Sequence, residues 1–317
     1  MKQYNRLMLG SKSIHLEECI KNNFIGVDFG ITQDLSNDLN GTWQDFKDVY
    51  VPMWMKNNPT KSKVPAGLAC GAIWTVVKNL KKGDIILSPN GIGKYYIAEI
   101  TGDYTYSTGN ILQHRREVRW FETTIDRSSM SLNLKNSAGS ILTTCDLTSY
   151  SEEIENLLKG ESTTTHIIET TPQEIEEQVN FALEKHLEDF LIANWTSTEL
   201  GKGYDILKDE NGDIIGKQFP TDTGPIDILA TSKDKKELLI VELKKGRASD
   251  SVVGQIQRYM GYIKEEYAEE GQTVRGIIIT LEDDKRIKRA LSVAPNISFC
   301  TYFMVFKLNH ICGPNIF

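Results

Sequence analysis

The chain has 317 residues, 40% hydrophobic and 25% charged, the balance of a packed soluble protein with room for two domains. No apolar run approaches the roughly 18 residues of a membrane helix, and Met1-Lys2-Gln3-Tyr4-Asn5-Arg6 leads into no signal-peptide core, so a cytoplasmic protein without membrane contact is expected. The net charge of −7 argues against binding nucleic acid by bulk positive charge, while leaving room for cations confined to a groove.

In chain order, helices are predicted over Thr42 to Met55 and Gly67 to Leu80. Strands follow over Asp84 to Ser88, Lys94 to Tyr104 and Arg116 to Phe121, rich in β-branched and aromatic residues and separated by Gly and Asn turns. A helix over Ser151 to Leu158 closes a small α+β unit, residues 1–158. Lys159-Gly160-Glu161-Ser162-Thr163-Thr164-Thr165 has no apolar periodicity and reads as part of a linker over 159–170. Thr171-Pro172-Gln173-Glu174 is a helix start, with Thr as N-cap, Pro in the first helical position and Glu in the third.

That helix is predicted to run from Pro172 to about Asn194. At about 100° per residue, Ile175, Val179, Leu183, Leu187 and Phe190 form its buried stripe, with Glu184 at the rim and Glu188 roughly 40° further toward solvent. Next come a loop, a strand over Ile226 to Ala230, the turn Ser232-Lys233-Asp234-Lys235-Lys236 and the apolar strand Leu238 to Leu243. A helix over Ser251 to Tyr267, a strand over Val274 to Thr280, a basic helix over Asp284 to Leu291 and a strand over Phe299 to Phe306 complete residues 171–317. A central apolar sheet with flanking helices is an α/β arrangement. Cys19, Cys70, Cys145, Cys300 and Cys312 lie far apart without a C-x-x-C pair, which supports neither a zinc site nor a disulfide framework.

The chemistry concentrates on Asp227, Glu242 and Lys244. Glu242 and Lys244 end an apolar strand and share a face with Leu238 and Ile240. A carboxylate and an ammonium there are costly to desolvate unless they pair or hold a metal. A hairpin would bring Asp227 beside Glu242, and two carboxylates with the Leu243 carbonyl and waters suit octahedral Mg²⁺, with Mn²⁺ able to substitute. Such an ion polarises phosphate and lowers the pKa of bound water, while Lys244 positions that water or neutralises growing charge. An isolated E-x-K is most often a structural pair, so the surroundings decide.

Those surroundings are Gly224-Pro225-Ile226-Asp227, Val241-Glu242-Leu243-Lys244-Lys245-Gly246-Arg247, Gly254-Gln255-Ile256-Gln257-Arg258-Tyr259 and Glu184-Lys185-His186-Leu187-Glu188-Asp189-Phe190-Leu191. In that order they resemble the NucS-like and RecB-like branch of the PD-(D/E)xK nuclease superfamily, over about Thr171 to Thr280. The resemblance implies a restriction-endonuclease-like αβ domain with a central mixed sheet. It also implies a site of Asp227, Glu242 and Lys244 supported by a helix glutamate, for which Glu184 is preferred, and by Gln255.

In the N-terminal half, Asn79 to Ser88 reads as a helix end and a strand, followed by Tyr96-Ile97-Ala98-Glu99-Ile100-Thr101-Gly102-Asp103-Tyr104. This looks like PUA-like domains of the EVE and YTH type, which bind modified bases or RNA. Tyr104 and Tyr106 are candidates to wall a base pocket. His114, Arg115, Arg116 and Arg119 on the next strand, together with Arg247, are candidates to meet nucleic acid. Trp74, inside an apolar helix, is expected in the core.

These readings add up to a Mg²⁺-dependent DNA endonuclease with an N-terminal reader, of modification-dependent restriction or anti-phage type. A structure-selective repair nuclease is the alternative, and a non-catalytic binder with a relic fold another. DNA is the expected partner, RNA stays open, and a homodimer would supply two sites for cutting two strands.

Overall fold

The structure, a computed structural model, describes residues 2–38, 40–140, 142–160, 184–209, 212–244 and 251–302. Most of the expected linker, the start of the helix after it, Arg247 and the end of the last expected strand lie outside the described residues. The chain divides into two compact units, one of Met1–Thr170, Lys208–Ile215 and Glu266–Glu269, the other of Thr171–Leu207, Gly216–Glu265 and Glu270–Phe317.

The first unit is built on strands β1 (Tyr4–Leu7), β2 (Phe24–Val27), β3 (Ile85–Pro89), β4 (Lys94–Tyr106), β5 (His114–Asp126) and β6 (Thr144–Asp146). Their order is β2-β5-β4-β3-β1-β6, antiparallel throughout except for β1 beside β3. Strand alternation sends Ile86, Ala98, Ile100 and Val118 to one face, where they pack with residues of α1 (Leu16–Lys21), α2 (Trp43–Asn57) and α3 (Lys63–Trp74). Ile85, Leu87, Ile97 and Ile125 go to the other, packing with α4 (Leu132–Ala138) and α5 (Ser151–Leu158).

The α2 helix starts at a capping box, in which Thr42 and Asp45 satisfy each other's main-chain N–H groups. The helix predicted to Leu80 stops at Trp74 and continues as a wider π-type turn, Thr75–Asn79. Trp74 is in the core, as expected. Strands β1 and β2 escape prediction because each has only four residues, all buried, with no alternation to read.

The second unit carries β7 (Tyr204–Ile206), β8 (Lys217–Thr221), β9 (Gly224–Ser232), β10 (Glu237–Lys244), β11 (Thr273–Thr280) and β12 (Ile297–Thr301). The order β12-β11-β10-β9-β7 is mixed: β10, β11 and β12 run parallel, and β9 is antiparallel to β10. On its other edge β9 pairs with β7 and then with β8. The segment expected to be a loop thus holds two strands and a short helix, α7 (Glu199–Gly203). Its strands are only three and five residues long, and β8 contains Pro220, so neither shows a readable alternation.

Residues 184–193 form helix α6. Helix α8 (Ser251–Glu266) buries Val252, Val253, Ile256, Tyr259 and Ile263, the i, i+3, i+4 stripe of a helix on a sheet. Gly276 in β11 makes room for it, since a Cβ there would lie 2.8 Å from Ile256 Cδ1. The basic helix is α9 (Lys285–Leu291), capped by the Asp284 side chain. Among the described residues no helix is long and apolar enough to cross a membrane.

Candidate active site

Strand β10 is covered on both faces, which is why Leu238 to Val241 read as an unbroken apolar run. Its partner β9 pairs Ile228 with Val241, and the next position sets Asp227 opposite Glu242. Directly opposed residues share a face, so the hairpin gathers Asp227, Glu242 and, two residues on, Lys244. Leu243 N–H donates to Asp227 Oδ2 at 2.7 Å, and Lys244 Nζ donates to Glu242 Oε1 at 2.7 Å. Glu242 is 1% exposed, and its Oε2 is buried with no hydrogen-bond partner among the described residues.

The electrostatics follow from crowding like charges at the end of an apolar strand. Burial, then the neighbouring Asp227, pushes the Glu242 carboxyl up to about 8 against the pull of Lys244. Asp227 keeps a partial opening to solvent, yet desolvation dominates and raises its carboxyl, opposed by the Leu243 N–H, Lys244 and Gln218. For Lys244, burial works downward but is outweighed by Glu242, Asp227 and Glu184, so the ammonium is held above its usual range.

Helix α6 corrects one expectation. Phe190, assigned to the buried stripe, is 61% exposed, whereas Glu188, assigned toward solvent, is 4% exposed. The inward side carries Glu188 beside half-buried Leu187, Leu191 and Ile192, so a count of apolar positions alone misplaces Glu188 and Phe190. Glu188 Oε2 accepts from Gln218 Nε2 at 2.6 Å, and its Oε1 lies 3.5 Å from Lys217 Nζ. Burial raises the Glu188 carboxyl to about 7, with Lys217 opposing and Asp227 adding to the rise. Glu184 lies near enough for its charge to act on Asp227, Glu242 and Lys244.

On α8, Gln255 Nε2 donates to the Tyr259 hydroxyl at 3.0 Å, so it meets the site through Tyr259. That hydroxyl is raised by burial and feels Glu242, Asp227 and Lys244. Gly224, at φ +124°, keeps the space open: a Cβ there would stand 3.2 Å from the Tyr259 oxygen. Tyr259, Gln218 and Lys217 are the neighbours that sequence reasoning did not assign. Only Tyr259 left a trace, one helical turn from Gln255.

The chemistry of this donor set fits a divalent cation. Two hard carboxylates stand together, and a buried carboxylate oxygen without a partner costs free energy that a cation would recover. Among the described residues no set of three or more His, Cys, Asp or Glu is placed to hold a metal ion. An ion here would therefore take Asp227, Glu242, main-chain oxygen and water.

The N-terminal candidates divide. His114 is fully buried: its Nε2 donates to the Ile31 carbonyl at 2.7 Å, and its Nδ1 meets the Tyr104 hydroxyl at 3.0 Å. Leu35 N–H donates to the same hydroxyl, and burial keeps the His114 imidazole below its usual value. Arg116 is 5% exposed and donates to the Val76, Val77 and Gly102 carbonyls. Both side chains are therefore occupied inside the fold, where strand alternation turns 114, 116 and 118 inward.

Arg115 donates to the Ile111 and Leu112 carbonyls and lies over the Phe24 ring. Arg119 is exposed and pairs with Glu99 at 2.5 Å. Tyr106, half-buried, donates to Gln113 Oε1 at 3.0 Å.

With the fold and site in place, the C-terminal half resembles nucleases of the PD-(D/E)xK class. More particularly, residues 183–298 match the endonuclease NucS C-terminal domain. Residues 6–148 match DUF8426, a domain of unknown function. Endonuclease NucS of Methanocaldococcus jannaschii is 38% identical over 74 residues, 23% of this chain and 27% of that protein. Endonuclease NucS of Pyrococcus abyssi is 35% identical over 65 residues, 20% and 24% of the two chains. The matched segments thus span about a quarter of these curated relatives. A solved EndoMS–dsDNA complex is 24% identical with a TM-score of 0.31, covering 38% of this chain and 44% of that one.

Proposed function

We propose that this protein is a metal-dependent DNA endonuclease of the repair type, cutting phosphodiester bonds at the Asp227, Glu242 and Lys244 site. The observation that carries the reading is the buried Glu242 carboxylate, one oxygen held by Lys244 and the other without a partner among the described residues, directly across from Asp227. Mg²⁺ or Mn²⁺, held by these carboxylates and the Leu243 carbonyl, would polarise the phosphate and acidify a water. Lys244, fixed by Glu242 and partly open to solvent, is placed to offset charge growing on the phosphate. Glu184 and Glu188 add negative charge that favours a cation. Gln255 orients the Tyr259 hydroxyl at the site's edge.

Repair leads over modification-dependent restriction for two reasons. The matching family and its named relatives are NucS endonucleases. The restriction reading takes the N-terminal unit as a reader of modified bases, and two of the residues offered for nucleic-acid contact there, His114 and Arg116, are occupied inside the fold. A PUA-like N-terminal unit that selects the substrate through Tyr104, Tyr106 and Arg119 remains part of the proposal, as does a homodimer for cutting both strands. The complete Asp227, Glu242 and Lys244 set speaks against a relic.

The test is a digest of plain duplex, modified duplex of identical sequence, branched or gapped DNA, and RNA, with Mg²⁺, Mn²⁺ or EDTA. Metal-dependent cleavage of DNA carrying structural discontinuities is expected. Cleavage confined to modified duplex would restore the restriction reading, and no cleavage of any substrate would overturn the enzyme.

A further inference from the structure

We infer that Gln218 is a positioning residue of the metal site, its side-chain amide tying Asp227 to Glu188 so that the Asp227 carboxylate is held ready for the cation. The inference rests on the metal-dependent reading above.

Strand β8 pairs Lys217 with Ile228 and Phe219 with Ile226, so Gln218 stands opposite Asp227 between those pairs. Its φ is +47°, in the left-handed region that a non-glycine residue enters at a cost. The distortion has a geometric result. Successive side chains of a regular strand point to opposite faces, yet Lys217 Nζ lies 3.5 Å from Glu188 Oε1 and Gln218 Nε2 lies 2.6 Å from Glu188 Oε2. Breaking the alternation brings two neighbouring residues to one carboxylate.

The amide then does something Lys217 does not. Gln218 Nε2 also donates to Asp227 Oδ1 at 3.1 Å, so its two hydrogens serve two carboxylates. Asp227 Oδ2 takes the Leu243 N–H. Each Asp227 oxygen is therefore anchored, one by β8 and one by β10, and each still has a lone pair for a ligand. A neutral donor suits this place: it relieves the opposition of two carboxylates without adding a positive charge that would repel a cation. Such partners of a metal ligand fix its orientation, and their loss commonly weakens metal binding by about 10- to 100-fold.

The experiment is a Mn²⁺ titration of the full chain without DNA, followed by the electron paramagnetic resonance signal of free Mn²⁺, with thermal midpoints measured in parallel. Gln218→Gly removes the amide but relieves the backbone; Gln218→Met keeps reach and backbone cost and removes the donors. Both are expected to bind Mn²⁺ about 10-fold more weakly, and Gln218→Gly to do so with an unchanged or raised melting temperature. A merely structural glutamine would move the melting temperature and leave Mn²⁺ affinity alone. Wild-type Mn²⁺ affinity in both variants overturns the inference while leaving the metal site standing. Absence of Mn²⁺ binding by the wild-type chain overturns the metal reading, and this inference with it.

Discussion

In the N-terminal unit, His114 and Arg116 are buried and turn their donors on main-chain carbonyls of Ile31, Val76, Val77 and Gly102. In the C-terminal unit, Asp227, Glu242 and Glu188 crowd together, their carboxyls are all raised, and Glu242 keeps an oxygen without a hydrogen bond among the described residues. Burial of an ionisable group is common to both regions, and only its partners differ. A buried donor that finds carbonyls stabilises a fold. Like charges held together against their repulsion mark a place built for something else to bind. The comparison converts residue type into role: the basic N-terminal strand looked functional by composition and is half structural.

The comparison can be broken most directly at the metal ligands. Asp227→Ala, Glu242→Ala and Lys244→Ala are each expected to lower cleavage on the order of 10³-fold with the fold retained. A variant that turns over like the wild type would remove that residue from the site. Next in size is pH. The carboxyls of Glu242 and Glu188 stand at about 8 and about 7, above their ordinary 4.5, so the folded metal-free protein binds protons more tightly than the unfolded chain. The stability this confers is whole below about pH 4.5 and is lost as pH rises through about 7 and 8. Unfolding of the metal-free protein should therefore show a loss on the order of 6 kcal/mol between pH 5 and 8, reduced in Glu242→Gln. A flat profile in the wild type would show that these carboxyls titrate normally.

Arg116→Met sharpens the other side. Stranding the Val76 and Val77 carbonyls should cost about 2–3 kcal/mol in denaturant unfolding, with the salt dependence of DNA binding unchanged. A reduced salt slope at full stability would return Arg116 to the nucleic-acid surface. Glu184→Gln is expected to slow cleavage more than Glu188→Gln, because Glu184 acts on Asp227, Glu242 and Lys244 together, whereas Glu188 acts on Asp227 alone of the three. The opposite ranking in single-turnover rates would exchange their roles. The smallest effect is at Arg119, exposed and paired with Glu99: its replacement by Ala should shift stability by no more than about 0.5 kcal/mol. If Arg119 meets phosphate, the salt slope of binding should fall by about 1.

The sequence by itself determined the long elements and the centre of the site. Helices α2 and α8 carry capping or periodicity strong enough to read, and β10 shows its apolar run ending in a glutamate and a lysine. Asp227, Glu242 and Lys244 were legible because strand alternation and one hairpin are local rules. Tertiary structure alone decided the rest. Which face of α6 points inward depends on Lys217 and Gln218 receiving Glu188, and those partners sit about 30 residues away in strand β8, whose backbone breaks alternation at Gln218. Likewise, whether Arg116 meets solvent or the carbonyls of Val76 and Val77 depends on a π-type turn 40 residues upstream. A charged side chain is spelled the same way in both settings. Its role is set by the desolvation and the partners that folding imposes, and neither is a property of the local sequence.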